Sequence, residues 1–303
     1  MPTVPHNELY HQLTTEQLSK FSEYTSIINE CVNHGTILLA KYIQGKTLDI
    51  EEMSVISLFR QNLELMNGIA QLISNGSTES LKISLRAHLE VSWQLSYLLQ
   101  SNLSRNAESF MVVDLHNRII FLEKLETGSN RNLQLNASLR RDHRLNENLL
   151  VMDQAEITRR KTECNVLLQN TRYSNTEIEY QRLRTLPTAS ISNPSWYNLF
   201  SGPRNIEGLA NSVGESGTYD ILYRHYSGAV HGTSALSNVT SQNILTKINS
   251  GENIETLVKH AINQIIHCSD IFAEKALGTD TEIEIHNQWY LTEIFQKRRQ
   301  ANV

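Results

Sequence analysis

Apolar residues recur three or four positions apart along most of the chain. This spacing places them on one face of an α-helix. The helices predicted from it run over about 14–44, 49–73, 79–100, 106–125, 150–184, 218–231, 253–277 and 280–299. Thr14 and Gln17 form the Thr-x-x-Gln pattern of a capping box, so the first helix is predicted to begin there. Gly45 is expected to end it.

The helix predicted at 79–100 is apolar on most of its faces, with leucines and Trp93 distributed around it. Such a helix is usually central to its domain. It also carries Arg86 and Glu90, which are four positions apart and therefore share one face. Because a buried charge is costly unless it is paired, we expect these two residues to bond to each other or to a nearby polar group. They are either a structural ion pair or the wall of a ligand or catalytic cavity.

The distribution of helix breakers supports an all-α fold. No proline occurs from His6 to Leu186, a stretch too long for a β-rich fold with many turns. We predict a multi-helix bundle in which a single all-α domain, 14–303, follows a loose lead-in, 1–13. Segment 187–217 holds three of the five prolines and four glycines, but its aromatic residues need burial. It is therefore predicted to be a structured loop.

Charge and cysteine content restrict the class of protein. The net charge of −5 argues against nonspecific coating of nucleic acid, although a local basic groove remains compatible with it. No apolar run approaches the roughly 18 residues that a membrane span needs, and the N-terminus has no signal pattern. The cysteines are odd in number and far apart: Cys31, Cys164 and Cys268. We expect free thiols in a cytoplasmic protein that has no membrane partner.

The predicted helix 218–231 has the densest run of polar and aromatic side chains. Polar or aromatic side chains recur at intervals of four residues: Tyr219, Tyr223, Ser227 and His231. Arg224 lies two turns before His231 on the same side, and His225 follows it. In one interpretation the tyrosine hydroxyls bond to Arg86 or Glu90 inside the core. In the other, His231 and Arg224 form an acid-base and phosphate-binding set, since histidine ionises near neutral pH.

No motif for a metal or a cofactor is evident. His260 and His267 are seven positions apart, close to Cys268 and Asp270, but this spacing fits no familiar ligand pattern. The sequence contains no Walker motif, dinucleotide loop or Gly-x-Ser-x-Gly turn. We therefore predict no metal and no cofactor.

Two motifs together resemble a bacterial family of all-α domains of unknown function. The first is Arg86-Ala-His-Leu-Glu90. The second motif combines Trp196, Leu209-Ala210 and the series Tyr219, Tyr223, Ser227, His231-Gly232. The resemblance extends from about residue 50 to 275. It implies an all-α fold without an established activity.

Arg224-His225 followed by His231 also resembles the Arg-polar-x-His signature of HEPN proteins (higher eukaryotes and prokaryotes nucleotide-binding). These are helical bundles, and many are metal-independent ribonucleases of toxin–antitoxin and anti-phage systems. The resemblance implies a HEPN-like core with additional helices and an endoribonuclease with RNA as partner. His231 would be the general acid or base at the ribose 2′-hydroxyl, Arg224 would bind the scissile phosphate, and His225 would assist. Such sites are typically completed by a second copy of the chain.

The alternative is a non-catalytic α-helical binding or scaffold protein, with a protein partner or a small ligand. In that hypothesis the polar groups form one buried network: Arg86, Glu90, Tyr219, Tyr223, Ser227 and His231. The position of His231 distinguishes the two hypotheses. In a ribonuclease it lies in an open cleft near Arg224. In a binding or scaffold protein it is buried against Arg86 and Glu90.

Overall fold

The computed structural model describes residues 11–100, 102–142, 153–185, 193–231, 248, 251 and 253–303. These residues form α-, 3₁₀- and π-helices and no β-strand, so the predicted all-α, multi-helix fold is confirmed. None of the described helices has both the length and the apolar character that crossing a membrane requires. The three cysteines, Cys31, Cys164 and Cys268, are buried free thiols.

Helices account for nearly all of the described chain. In chain order the α-helices are α1 (Thr15–Ile43), α2 (Ile50–Ser74), α3 (Thr78–Leu98), α4 (Leu103–Leu125), α5 (Asn130–Arg141), α6 (Gln154–Leu168), α7 (Ser174–Thr185), α8 (Ile206–Ser212), α9 (Ser216–Thr218), α10 (Arg224–His231), α11 (Ile254–Ile271), α12 (Asp280–Trp289) and α13 (Phe295–Ala301). The 3₁₀-helices are Thr171–Tyr173 and Trp196–Ser201. The π-helices are Tyr219–Tyr223, Phe272–Leu277 and Tyr290–Ile294.

The helix boundaries follow from local sequence. Thr14 and Gln17 form the predicted capping box at the start of α1, and Gly45 follows its end with a positive φ of 72°. The helix predicted over 150–184 is divided in two. Asn170 lies at the break, where its side chain accepts a hydrogen bond from the backbone of Arg172. Asparagine favours such a turn because its side chain can replace a backbone partner.

The chain consists of two compact units, which are described separately. The first comprises Met1–Ser101 and Asn205–Val303, and the second comprises Asn102–Arg204. In the first unit α3 packs against α2, α10 and α11, and α1 packs against α2 and α11. Trp93 of α3 is almost fully buried. This confirms the prediction that the third helix is central.

In the second unit α4 is the common packing partner. It contacts α5, α6, α7 and the 3₁₀-helix Trp196–Ser201. Leu122, Leu125 and Ile157 form an apolar cluster between α4 and α6. Within the described part of 187–217, Trp196 and Leu199 are buried, as the prediction of a structured segment requires.

Candidate functional site

The segment that precedes α10 is a π-helix rather than the regular α-helix that the spacing predicts. The backbone N–H of Arg224 donates to the carbonyl of Tyr219, five residues earlier. In an α-helix the neighbours of Tyr219 on the next turn would be Leu222 and Tyr223. The wider turn makes them Tyr223 and Arg224. The rings of Tyr219 and Tyr223 accordingly stack at 5.1 Å, and the Arg224 guanidinium lies 5.5 Å from the Tyr219 ring centroid.

The hydroxyl of Tyr223 connects this segment to α3. Arg86 Nη2 donates to Tyr223 Oη at 2.9 Å, and Tyr223 Oη donates to Glu90 Oε1 at 2.7 Å. Arg86 Nε is 3.2 Å from Glu90 Oε1, an ion pair without the alignment of a hydrogen bond. The predicted bonding between a tyrosine hydroxyl and the Arg86–Glu90 pair is therefore confirmed. We call Arg86, Glu90 and Tyr223 the α3–α10 network, because the π-helix that ends at Tyr223 continues directly into α10.

The electrostatics of the network keep the Tyr223 hydroxyl protonated. Burial, together with the hydrogen bond to the Glu90 carboxylate, raises the pKa of Tyr223 to about 12. The hydroxyl therefore stays protonated and donates to Glu90 at neutral pH. The Arg86 guanidinium also lies 4.9 Å from the Tyr223 ring centroid, which adds a cation–π contact. Since each member has a partner inside the network, the geometry is typical of a structural clamp.

Ser227 differs from the prediction, and Tyr226 forms a contact for which no prediction was made. Ser227 Oγ donates to the backbone carbonyl of Tyr223 at 2.8 Å, so its hydrogen bond stays within its own helix and it does not extend the α3–α10 network. Tyr226 is 1% exposed, and its hydroxyl is 2.8 Å from His260 Nδ1 on α11. Burial lowers the pKa of His260, which favours the neutral ring in this hydrogen bond. The position of Tyr226, three residues after Tyr223, is the sequence signal that could have identified this second anchor.

The opposite side of α10 is open to solvent. The side chain of Arg224 is 61% exposed, and its only ion pair among the described residues is with Asp220, at 3.4 Å. His225 is exposed, and its ring lies edge-on to Tyr226. His231, the last residue of α10, is also exposed. Arg224 and His231 are seven residues apart, which puts them on one face about 10 Å apart along the helix axis.

The α3–α10 network and His231 do not meet in one cavity. Eight residues separate Tyr223 from His231, about 12 Å along the helix axis. His231 is exposed at the end of α10, whereas Tyr223 is 6% exposed. The site therefore has a half-buried clamp and a separate exposed face, made of Arg224, His225 and His231. The residues that follow, from Gly232 on, lie outside the described part of the chain.

The histidines considered for a metal have separate partners. His260 contacts Tyr226, whereas His267 Nε2 lies 2.9 Å from Glu215 Oε1. Among the described residues, the side chains close enough together to share an ion are Asp49, Glu51 and Glu52, at the start of α2. Asp49 accepts hydrogen bonds there from the backbone of the first turn, which is an ordinary helix cap.

The fold and the site define an all-helical protein in which an anchored helix presents a basic face, made of Arg224, His225 and His231. The chain belongs to DUF5677, a family of unknown function, whose model matches residues 52–244. This match confirms that the chain belongs to a family of unknown function, and it ends before the predicted limit near 275. No curated protein and no solved structure matches the chain.

Proposed function

We propose that this protein is a HEPN-like, metal-independent endoribonuclease whose reactive groups lie on the exposed face of α10. The observation that carries the proposal is the two-sided arrangement of this helix. Tyr223 and Tyr226 anchor one side to α3 and α11, while Arg224 and His231 are exposed on the other. An anchored helix with an exposed cation and imidazole suits a substrate that is too large for a closed pocket.

The chemistry would use three side chains. His231 takes the proton of a ribose 2′-hydroxyl as the 2′-oxygen attacks the adjacent phosphorus. The bond from phosphorus to the 5′-oxygen breaks, and the leaving oxygen takes the proton back from the imidazolium that His231 has become. The products are a 2′,3′-cyclic phosphate and a 5′-hydroxyl. Arg224 stabilises the charge that develops on the phosphate, and His225 assists as a polar neighbour. Electrons and protons balance without a metal ion.

The biological setting in this proposal is drawn from the resemblance to HEPN proteins. RNA is the substrate, the site is completed by a second copy of the chain or by a partner protein, and the protein acts in the cytoplasm. The module would be a bacterial toxin or an anti-phage defence system. The exposed position of His231 at the end of α10 leaves it accessible to a second copy.

The direct test is cleavage of a fluorescent single-stranded RNA by the purified full chain in the presence of EDTA. His231→Ala and Arg224→Ala are expected to lower the rate at least 100-fold. Arg60→Ala is the matched control, because Arg60 is similarly exposed and also has an acidic partner four residues away, Glu64. It should cleave like wild type. Undiminished cleavage by His231→Ala, or no cleavage by wild type, would overturn the proposal.

A second candidate function, a non-catalytic binding or scaffold protein, is favoured by the closed α3–α10 network. In that case the polar residues serve stability alone. Arg86→Ala would lower the melting temperature, because Glu90 and Tyr223 would lose their cationic partner. The wild-type chain would show no RNA cleavage under any condition. Cleavage that depends on His231 would exclude this candidate.

A further inference from the structure

A cleft of about 410 Å³ lies along α11 in the first unit, C-terminal to the residues that the family model matches. This volume falls within the range of small-molecule sites. The polar and charged side chains that line it include Asn263, His267, Asp270, Glu274, Tyr290 and Arg298. Four of these residues are three or four positions apart and therefore lie on one side of α11 and of the π-helix that continues it: Asn263, His267, Asp270 and Glu274.

Asp270 is held in the cleft by two buried histidines. Its Oδ1 is 2.7 Å from His286 Nε2, and His286 Nδ1 is 2.9 Å from His34 Nε2. Both rings are at most 5% exposed, and Trp289 stacks on His34 at 3.8 Å. Burial lowers the pKa of His34 to about 3, so that ring is neutral. A carboxylate oxygen can only accept, so Asp270 accepts from His286 Nε2, and its side chain is 41% exposed.

No lysine or arginine of the described chain pairs with the acidic end of the cleft. Asp270 and Glu274 are four positions apart and repel each other. Neither forms an ion pair with a lysine or arginine of the described chain. Arg298 donates instead to Asn263 Oδ1 and to the carbonyl of Val303.

The remaining charges near the cleft are also accounted for. His267 is paired with Glu215, and that hydrogen bond raises the pKa of His267 and lowers the pKa of Glu215. Lys275 is not among the lining residues. Asp270 and Glu274 therefore have no lysine or arginine partner among the described residues, in a cleft that Tyr290 and Arg298 also line.

We propose that this cleft binds a small organic dication, with one amine or guanidinium group at Asp270 and another at Glu274. Side chains at positions i and i+4 have Cβ atoms about 5–6 Å apart, a separation that a four-carbon diamine can span. The Tyr290 ring offers a cation–π contact. A single metal ion suits the cleft less well, because His267, Asp270 and Glu274 are absent from the described groups whose ligand atoms approach within 4.8 Å.

The test is calorimetric titration of the full chain with 1,4-diaminobutane at low ionic strength, with 1,4-butanediol as the neutral control. Asp270→Asn/Glu274→Gln is expected to weaken binding at least tenfold. Asp280→Asn/Glu284→Gln removes two exposed carboxylates with the same spacing on α12, and it should stay within twofold of wild type. Glu274→Gln alone, at an exposed residue, tests the same prediction without loss of the Asp270–His286 bond.

Three outcomes would overturn this proposal. Wild type could bind the diol as well as the diamine, or bind neither. The two double variants could weaken binding equally, which would indicate nonspecific attraction to an acidic surface. Alternatively, Mg²⁺, Ca²⁺ or Zn²⁺ alone could bind more tightly than the diamine and displace it. None of these results bears on RNA cleavage, since the cleft shares no residue with the exposed face of α10.

Discussion

At the scale of single residues, Tyr223 is the side chain on which the site depends. Its hydroxyl accepts from Arg86 and donates to Glu90, and its ring stacks on Tyr219. The adjacent Tyr219 has a similar ring environment, but its hydroxyl has no hydrogen bond to the described chain. The two tyrosines therefore separate the effect of the hydroxyl from that of the ring.

Tyr223→Phe is expected to lower the free energy of unfolding by about 1–3 kcal/mol, because Arg86 and Glu90 each lose a partner in a half-buried site. Tyr219→Phe keeps the ring and should change stability by less than about 0.5 kcal/mol. Urea denaturation of both variants measures the difference. Equal stability of the two variants would show that the network contributes nothing through the hydroxyl.

The sequence predicted the α3–α10 network in part. A charged pair on an apolar helix requires a polar partner, and this argument identified a tyrosine hydroxyl correctly. It could not identify which polar side chains form their hydrogen bonds within their own helix. Ser227 bonds to the carbonyl four residues earlier, a local option that serine always has and that spacing does not reveal. His34 and His286 were missed because 252 residues separate them.

At the scale of helices, the apolar period located most elements to within a few residues. It did not reveal the π-helix Tyr219–Tyr223, because a single wider turn leaves the pattern of residue types unchanged. Yet this turn decides which side chains meet, since it brings Arg224 rather than Leu222 beside Tyr219. The spacing alone therefore could not predict how the basic face is oriented.

Two helical glycines differ in what surrounds them. A Cβ at Gly68 of α2 would have no atom within 4 Å, so Gly68→Ala is expected to raise the free energy of unfolding by about 0.5–1 kcal/mol. A Cβ at Gly35 of α1 would overlap with the Cδ2 methyl group of Leu63, a buried side chain. Gly35→Ala is therefore expected to lower stability by about 1 kcal/mol or more. Thermal or urea unfolding checks both variants, and a gain in stability from Gly35→Ala would contradict the close approach of α1 and α2.

At the scale of the whole molecule, the family match and the compact units have different limits. The match begins in α2 and ends at residue 244, so it includes α3, α10 and the whole second unit. It leaves out α1 and α11–α13, which provide His34, Asp270 and His286. The α3–α10 network and the basic face thus lie inside the family region, whereas the cleft lies outside it.

Buried histidines make the folded chain sensitive to acid. Burial lowers the pKa of His88 from 6.5 to about 4, and neither ring nitrogen has a partner in the described chain. As the pH falls below 6.5, the unfolded state takes up a proton that the folded state does not, so stability decreases until about pH 4. From pH 7.5 to pH 5, His88 alone accounts for a loss of about 2 kcal/mol. His34 acts in the same direction, and the raised pKa of His267 acts against it.

His88→Leu removes the titrating group from an apolar site. The difference in unfolding free energy between pH 7.5 and pH 5 should therefore become about 2 kcal/mol smaller than in wild type. Urea denaturation at the two pH values measures it, and comparison of the two proteins cancels the contributions of His34 and His267. An unchanged pH dependence would show that His88 is accessible to protons in the folded state.

The chemical ends of the RNA fragments test the central claim most directly. After incubation of a defined RNA with the full chain in EDTA, mass spectrometry should detect 2′,3′-cyclic phosphate and 5′-hydroxyl ends. His231→Ala, prepared in the same way, should produce neither. Fragments with 5′-phosphate ends, fragments equally abundant with His231→Ala, or intact RNA would contradict the assignment of Arg224, His225 and His231 as a metal-independent ribonuclease site.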